Sequence, residues 1–168
     1  LFDGNQLYIH LVKDQGEGKV GERSMASGIY AKGIGKLVDT GINWSDPGST
    51  MKAQLTSSSY TESLDNDDFR DDVSAYQIAG TTDQAIPTKG VTYDAGNDYV
   101  YLDCGASITF SSVASGTCHG IVIYKDVGTP ATDNLLCWCE FTADVTANGS
   151  NIQVNFDTNG VVRFYYGP

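Results

Sequence analysis

Two histidines, four cysteines and 21 carboxylates are the side chains of this sequence best suited to chemistry. They crowd together in HGIVIYKDVGTPATDNLLCWCEF, residues 119–141, which holds His119, Cys137, Cys139 and the Lys125-Asp126 pair, with Cys118 just before it. Each residue of a strand advances about 3.3 Å, so Cys137 and Cys139 would point the same way, about 7 Å apart. With Cys104, Cys118 and His119 they could form a Cys-rich zinc site. Structural zinc sites, however, ordinarily use paired cysteines with two to four residues between them, and no such knuckle occurs here. Free cysteine is among the most buried residue types, so core packing is the better reading of the four thiols. A Cys104–Cys118 disulfide and a metal site stay open beside it.

Other constellations fall short of their rules. The acidic run LDNDDFRDD, residues 64–72, starts like a calcium loop with Asp65 and Asp67, but Phe69 and Arg70 break the alternation of ligands, which leaves a solvated loop. GIYAKGIGK mimics a phosphate loop, yet the position that requires Lys is Ile34. Neither His10 nor His119 stands beside a nucleophile motif, and no two acids stand out as a glycosidase pair. Trp138, Tyr99, Tyr165 and Tyr166 could line a sugar platform, although aromatics at strand spacing more often serve a core. Asn43-Trp44-Ser45 and Asn148-Gly149-Ser150 match the glycosylation tripeptide, a short pattern of little weight. The sequence therefore predicts no catalytic residue, no cofactor and no metal ligand.

The elements that would position these residues are strands. Nineteen glycines, ten tyrosines and a charged fraction of only 18% suit a turn-rich β protein. At 168 residues the chain can bury roughly 70% of its unfolded surface in one domain without a metal or disulfide. A net charge of -11 without a Lys/Arg cluster argues against a nucleic-acid partner. No apolar run is long enough for a membrane-spanning helix, and LFDGNQLYIHLVKDQGEG shows no signal-peptide pattern.

Residues 1–23 read as an N-terminal strand or arm, and residues 24–168 as one β-sandwich domain. LYIHLV is a candidate strand ahead of the Gly-rich, charged KDQGEGKVGERS. Ile29, Ile34, Leu37 and Val38 recur at helical spacing after Ser24 or Ser27, a possible cap, while internal glycines weaken that short helix. Met51, Ala53 and Leu55 alternate with polar residues and predict a half-buried strand. Leu64 and Phe69 fall in a short helical turn, and SAYQIAG returns to strand. Further on, strands flank the turn Asp94–Asn97. GIVIYKD is apolar on both faces, with Ile121 and Ile123 on one and Val122 and Tyr124 on the other, which marks a central strand. NLLCWCEF places Leu135, Cys137, Cys139 and Phe141 opposite Leu136, Trp138 and Glu140. NIQVNFD and VVRFYY flank Asn159-Gly160, the strongest short hairpin signal available. The expected fold is all-β, an antiparallel β-sandwich or partly closed barrel with a short N-terminal helix and an extended N-terminal arm.

Three segments also carry a resemblance: GINW with MKAQL, then VIYKDVGTPATDNLL, then NGSNIQVNFD. Through Ile42, Asn43, Trp44, Lys52 and Leu55, then Val122 to Asp126, Gly128, Thr129, Thr132, Leu135 and Leu136, then Asn148, Gly149, Phe156 and Asp157, the chain resembles small structural proteins encoded near the head genes of tailed bacteriophages. The likeness covers about residues 28–168. Cys137-Trp138-Cys139 departs from the small or aliphatic residues usual there, and Ser150 and Phe156 replace Gly and Trp.

The resemblance implies a virion component, assembled in the host bacterial cytoplasm, where thiols stay reduced. The expected activity is structural: a capsid decoration or cement protein binding the major capsid protein or other virion proteins, and its own copies as a homo-oligomer. Leu7, Tyr8, Ile9, His10 and Leu11 of the arm are the expected partner-binding residues. The rival reading is an extracellular carbohydrate-binding or adhesion β-sandwich module.

Overall fold

The computed structural model describes residues 27–105, 107–157 and 160–165. The arm residues Leu7, Tyr8, Ile9, His10 and Leu11 lie outside the described residues, as does Ser24. In chain order the elements are β1 (Gly28–Ile29), α1 (Ala31–Val38), β2 (Met51–Ser57), α2 (Arg70–Ser74), β3 (Gln84–Ala85), β4 (Lys89–Asp94), β5 (Tyr99–Cys104), β6 (Ile108–Phe110), β7 (Gly116–Lys125), β8 (Leu135–Ala147), β9 (Ile152–Val154) and β10 (Val162–Tyr165). A single 3-10 turn, Pro130–Thr132, joins β7 to β8.

Among the described residues three antiparallel sheets result, with orders β1-β8-β7-β2-β3, β10-β5-β4 and β6-β9. They form an all-β sandwich whose sheets do not close into a barrel. Met51, Ala53, Leu55, Ile121, Ile123, Cys137 and Cys139 face Leu102, Cys104, Ile108, Phe110, Ile152, Val154 and Val162 across the main core. Each aliphatic side chain so buried contributes about 1.5–3 kcal/mol relative to exposure. The opposite face of the five-stranded sheet carries a second core: Tyr30, Tyr60, Val73, Val122, Tyr124, Leu135 and Trp138. The two-sided apolar pattern of β7 thus has its cause, since this strand lies at the centre of a sheet covered on both faces.

Several local expectations change. Ile29 is in a strand rather than the helix, because Gly28 and Ile29 pair with Trp138 and Cys137 of β8. The helix begins at Ala31 after an extended Tyr30, without a side-chain cap. Ser27 instead accepts the Glu140 N–H at its hydroxyl, 2.9 Å away. β2 is buried on both faces, not one. Its polar Gln54 and Thr56 are fully covered and donate to the carbonyls of Val73 and Gly120. SAYQIAG is not a strand, since its first residue ends α2 and only Gln77 bridges to Thr56.

Two misreadings share a cause, a local signal that leaves pairing open. β8 slips by one residue against β7, for Ile123 pairs with Cys137 and Tyr124 with Leu135. The extra residue, Leu136, turns into the main core beside Cys137, while Leu135 joins Trp138 in the second. NIQVNFD and VVRFYY do not form a hairpin with each other. β9 pairs with β6, and β10 pairs with β5.

Candidate functional site

The thiols come first. All four are free and buried, and the sulfurs of Cys137 and Cys139 lie 4.0 Å apart in the main core. Burial pushes the Cys104 thiol up to about 12 and the Cys118 thiol up to about 11, and it holds Cys137 well above the ordinary thiol value. Thiols so raised stay protonated at neutral pH and make poor nucleophiles. Among the described residues, no group of three or more His, Cys, Asp and Glu side chains is spaced to hold a metal ion.

His119 is drawn to carboxylates instead of cysteines. Its Nδ1 is 2.6 Å from Asp144 and its Nε2 is 3.4 Å from Glu140. Glu140 borders, and Asp144 lies within, a wide irregularity of the β7–β8 ladder, where pairing jumps from Cys118–Val145 to Gly120–Glu140. His119 alone stands opposite residues 141–144, so its ring ties together the two ends of the bulge. Trp138 backs it with a tilted ring at 5.9 Å.

Three acids of the run, Asp67, Asp68 and Asp72, bond within the protein. Asp72 accepts N–H bonds from Asp68 and Phe69 at the start of α2, and these bonds lower its carboxyl below the usual value against the opposing effect of burial. Asp67 accepts the Tyr60 hydroxyl, which in turn meets the Tyr30 hydroxyl at 2.7 Å. Asp68 pairs with Lys32. Arg70 reaches Asp83 at 2.9 Å and Asp133 at 3.9 Å. Asp133 is only 1% exposed and also accepts the Val127 N–H at 2.7 Å. Arg70, Asp83 and Tyr124, with Lys52, border a polar hollow of about 320 Å³. Burial raises the Asp83 carboxyl, while the Tyr124 hydroxyl and Arg70 work against that rise.

GIYAKGIGK owes Gly33 to packing. A Cβ at Gly33 would lie 2.6 Å from the Leu135 carbonyl oxygen and 2.8 Å from that of Leu136, so glycine lets α1 rest directly on β8. The candidate sugar platform is split: Tyr99 and Tyr165 are direct partners across β5 and β10, while Trp138 lies in the second core. Trp138 is fully buried, Tyr99 lies under the Arg163 guanidinium, Tyr165 belongs to β10, and Tyr166 is outside the described residues.

Two features went unread in the sequence. One is a clamp around Lys125 and Asp126. Lys125 donates to the Gly41 carbonyl at 2.7 Å, and Asp126 binds Lys52 at 2.6 Å and accepts the Gly128 N–H at 3.1 Å. The Asp126 bond to Gly128 is local, whereas its bond to Lys52 joins residues 74 positions apart. The second is an open apolar cleft of about 410 Å³ between the end of α1 and the three-stranded sheet. Leu37, Val38, Ile42 and Trp44 face Val91, Leu102 and Phe164 across it. The hydrophobic Val91 and Tyr93 in a strand otherwise polar were the only signal for it. No family model matches the chain, and no curated protein or solved structure matches it either.

Proposed function

We propose that this protein is a structural component of a tailed-phage virion, a decoration or cement protein that binds capsid subunits and its own copies. The observation that carries the reading is that segments far apart in sequence, but shared with the phage proteins it resembles, meet in space. Gly41 of GINW takes the Lys125 ammonium, and Lys52 of MKAQL takes the Asp126 carboxylate. Trp44 donates its indole N–H to the Asp103 carbonyl at 2.8 Å, which ties the same loop to β5. Residues that together lock one joint make a coherent structural unit, as a rigid building part needs.

A part of this kind works by adding buried interface across neighbouring subunits. A specific contact typically buries about 1,600 Å², and many copies raise avidity. The carbohydrate-binding alternative draws less support, because it needs an exposed aromatic strip and Trp138 is buried. The test is co-sedimentation of the purified protein with shells assembled from the major capsid protein of the phage that encodes it. Saturable binding at a fixed ratio to capsid subunits is expected. Protein that stays wholly in the supernatant at every concentration would overturn the reading.

A further inference from the structure

The three-stranded sheet has one face that belongs inside the protein yet is left half uncovered. Val91 pairs directly with Leu102, and Tyr93 with Val100. Directly opposed residues share a face, and Leu102 and Cys104 on that face belong to the main core. Val91 and Tyr93 therefore point to the core side, but Val91 is 36% exposed and Tyr93 is 74% exposed. Across the cleft, Val38 is 80% exposed. An apolar row that begins in the core and runs out into water calls for a cover.

The edge of the same sheet is also open. Among the described residues β4 pairs only with β5, so one side of its backbone has no strand partner. Buried or half-buried backbone groups call for hydrogen bonds, and an added strand supplies them along the whole edge.

The chain itself contains a segment of matching length and pattern. LYIHLV, Leu7 to Val12, has six residues, as β4 does, and it alternates Leu7, Ile9 and Leu11 with Tyr8, His10 and Val12. Residues 13–26, a Gly-containing polar stretch of 14, connect it to Ser27. Fully extended, such a connector spans at most about 46–50 Å. Ser27 leads through Ile29 straight into α1, a helix about 12 Å long, whose far end is Val38 at the cleft. The connector thus exceeds the distance it must cover, and a short tether holds the segment at an effective concentration in the millimolar range.

We propose that Leu7–Val12 of the same chain adds as a fourth strand to the open edge of β4, with Leu7, Ile9 and Leu11 closing the apolar cleft. Tyr8, His10 and Val12 then face outward, which leaves them for a neighbouring subunit. The docking does not depend on the virion reading, and it is measured on the free protein.

The experiment is amide hydrogen exchange on the full-length chain, compared with full-length Ile9→Asp and, on the receiving face, Tyr93→Asp. In the unsubstituted chain the outward-facing amides of β4 are protected. Each substitution lowers that protection about tenfold or more while the amides of β7 keep theirs. Dilution of the protein leaves the protection unchanged, since the segment is tethered. Equal β4 exchange in all three proteins would overturn the proposal. Protection that fades on dilution would overturn it too, because the strand would then come from a second copy.

Discussion

The five-stranded and three-stranded sheets are built from the same kinds of residue but are finished differently. In the five-stranded sheet, β7 and β8 bury residues on both faces, and its polar interior groups Gln54 and Thr56 have backbone partners. In the three-stranded sheet, one half shares the main core and the other half ends at an open apolar cleft. The first is a scaffold that buries its central strands on both faces. The second keeps apolar surface and backbone hydrogen-bonding capacity available, and that is where a contact can form.

The contrast breaks most sharply at Trp138. This ring is fully buried, meets Tyr60 edge-on at 5.1 Å and backs His119. Trp138→Ala is expected to cost about 3–5 kcal/mol in urea unfolding. A cost under about 1 kcal/mol would mean that the second core is not tightly packed. Gly120→Ala comes next. A Cβ there would sit 2.4 Å from the Cys139 carbonyl oxygen and 2.5 Å from the Trp138 ring, so the backbone or the indole must shift. Overpacking of this kind costs about 1–3 kcal/mol, read from the same unfolding curves.

How much of this was legible follows from where the information lies along the chain. Residues 121–124 of β7 were readable because four apolar residues in a row allow little besides a strand covered twice. The turn between β4 and β5 was readable because Asp94 caps it locally, accepting N–H bonds from Gly96 and Asn97. Asn159-Gly160 misled because a turn signal says that the chain bends, not which strand each arm joins. The Leu136 slip was invisible because a bulge depends on the partner strand. Contacts such as Ser27 with Glu140, Trp44 with Asp103 and Arg70 with Asp133 join residues tens of positions apart, and no local pattern announces them. The arm residues Leu7, Tyr8, Ile9, His10 and Leu11 lie outside the described residues, so their partner-binding role rests on the sequence alone.

A smaller effect separates two carboxylates of the scaffold by pH. The Lys52 ammonium holds the Asp126 carboxyl below its usual value of 3.8, helped by the Gly128 N–H. Its contribution to stability is present above the ordinary carboxylate range and is lost as pH falls through the lowered value. Burial raises Asp83 instead, so its effect has the opposite sign: between 3.8 and its raised value, stability falls as pH rises. Asp126→Asn should lower the melting temperature at neutral pH, and the gap from the unsubstituted protein should narrow on acidification. A gap that stays constant down to about pH 2 would show that the Lys52 pairing adds nothing to stability.

The smallest expected effect is the most informative about the open sheet. Tyr93 is three-quarters exposed and sits on the core side of an edge strand. In the Ile9→Asp background, where the arm is released from β4, Tyr93→Ala should change global stability by no more than about 0.5 kcal/mol, the usual range for surface sites, against about 3–5 kcal/mol for Trp138→Ala. Urea unfolding of both variants side by side checks the ratio. The reason for the difference is energetic and not compositional. A side chain stabilises a fold by the water it leaves on folding, and Tyr93 leaves little while Trp138 leaves all of it. If Tyr93→Ala instead costs 2 kcal/mol or more, on the order of a core truncation, then the cleft is part of the cooperative core. The distinction between a finished sheet and one held ready for contact would fail.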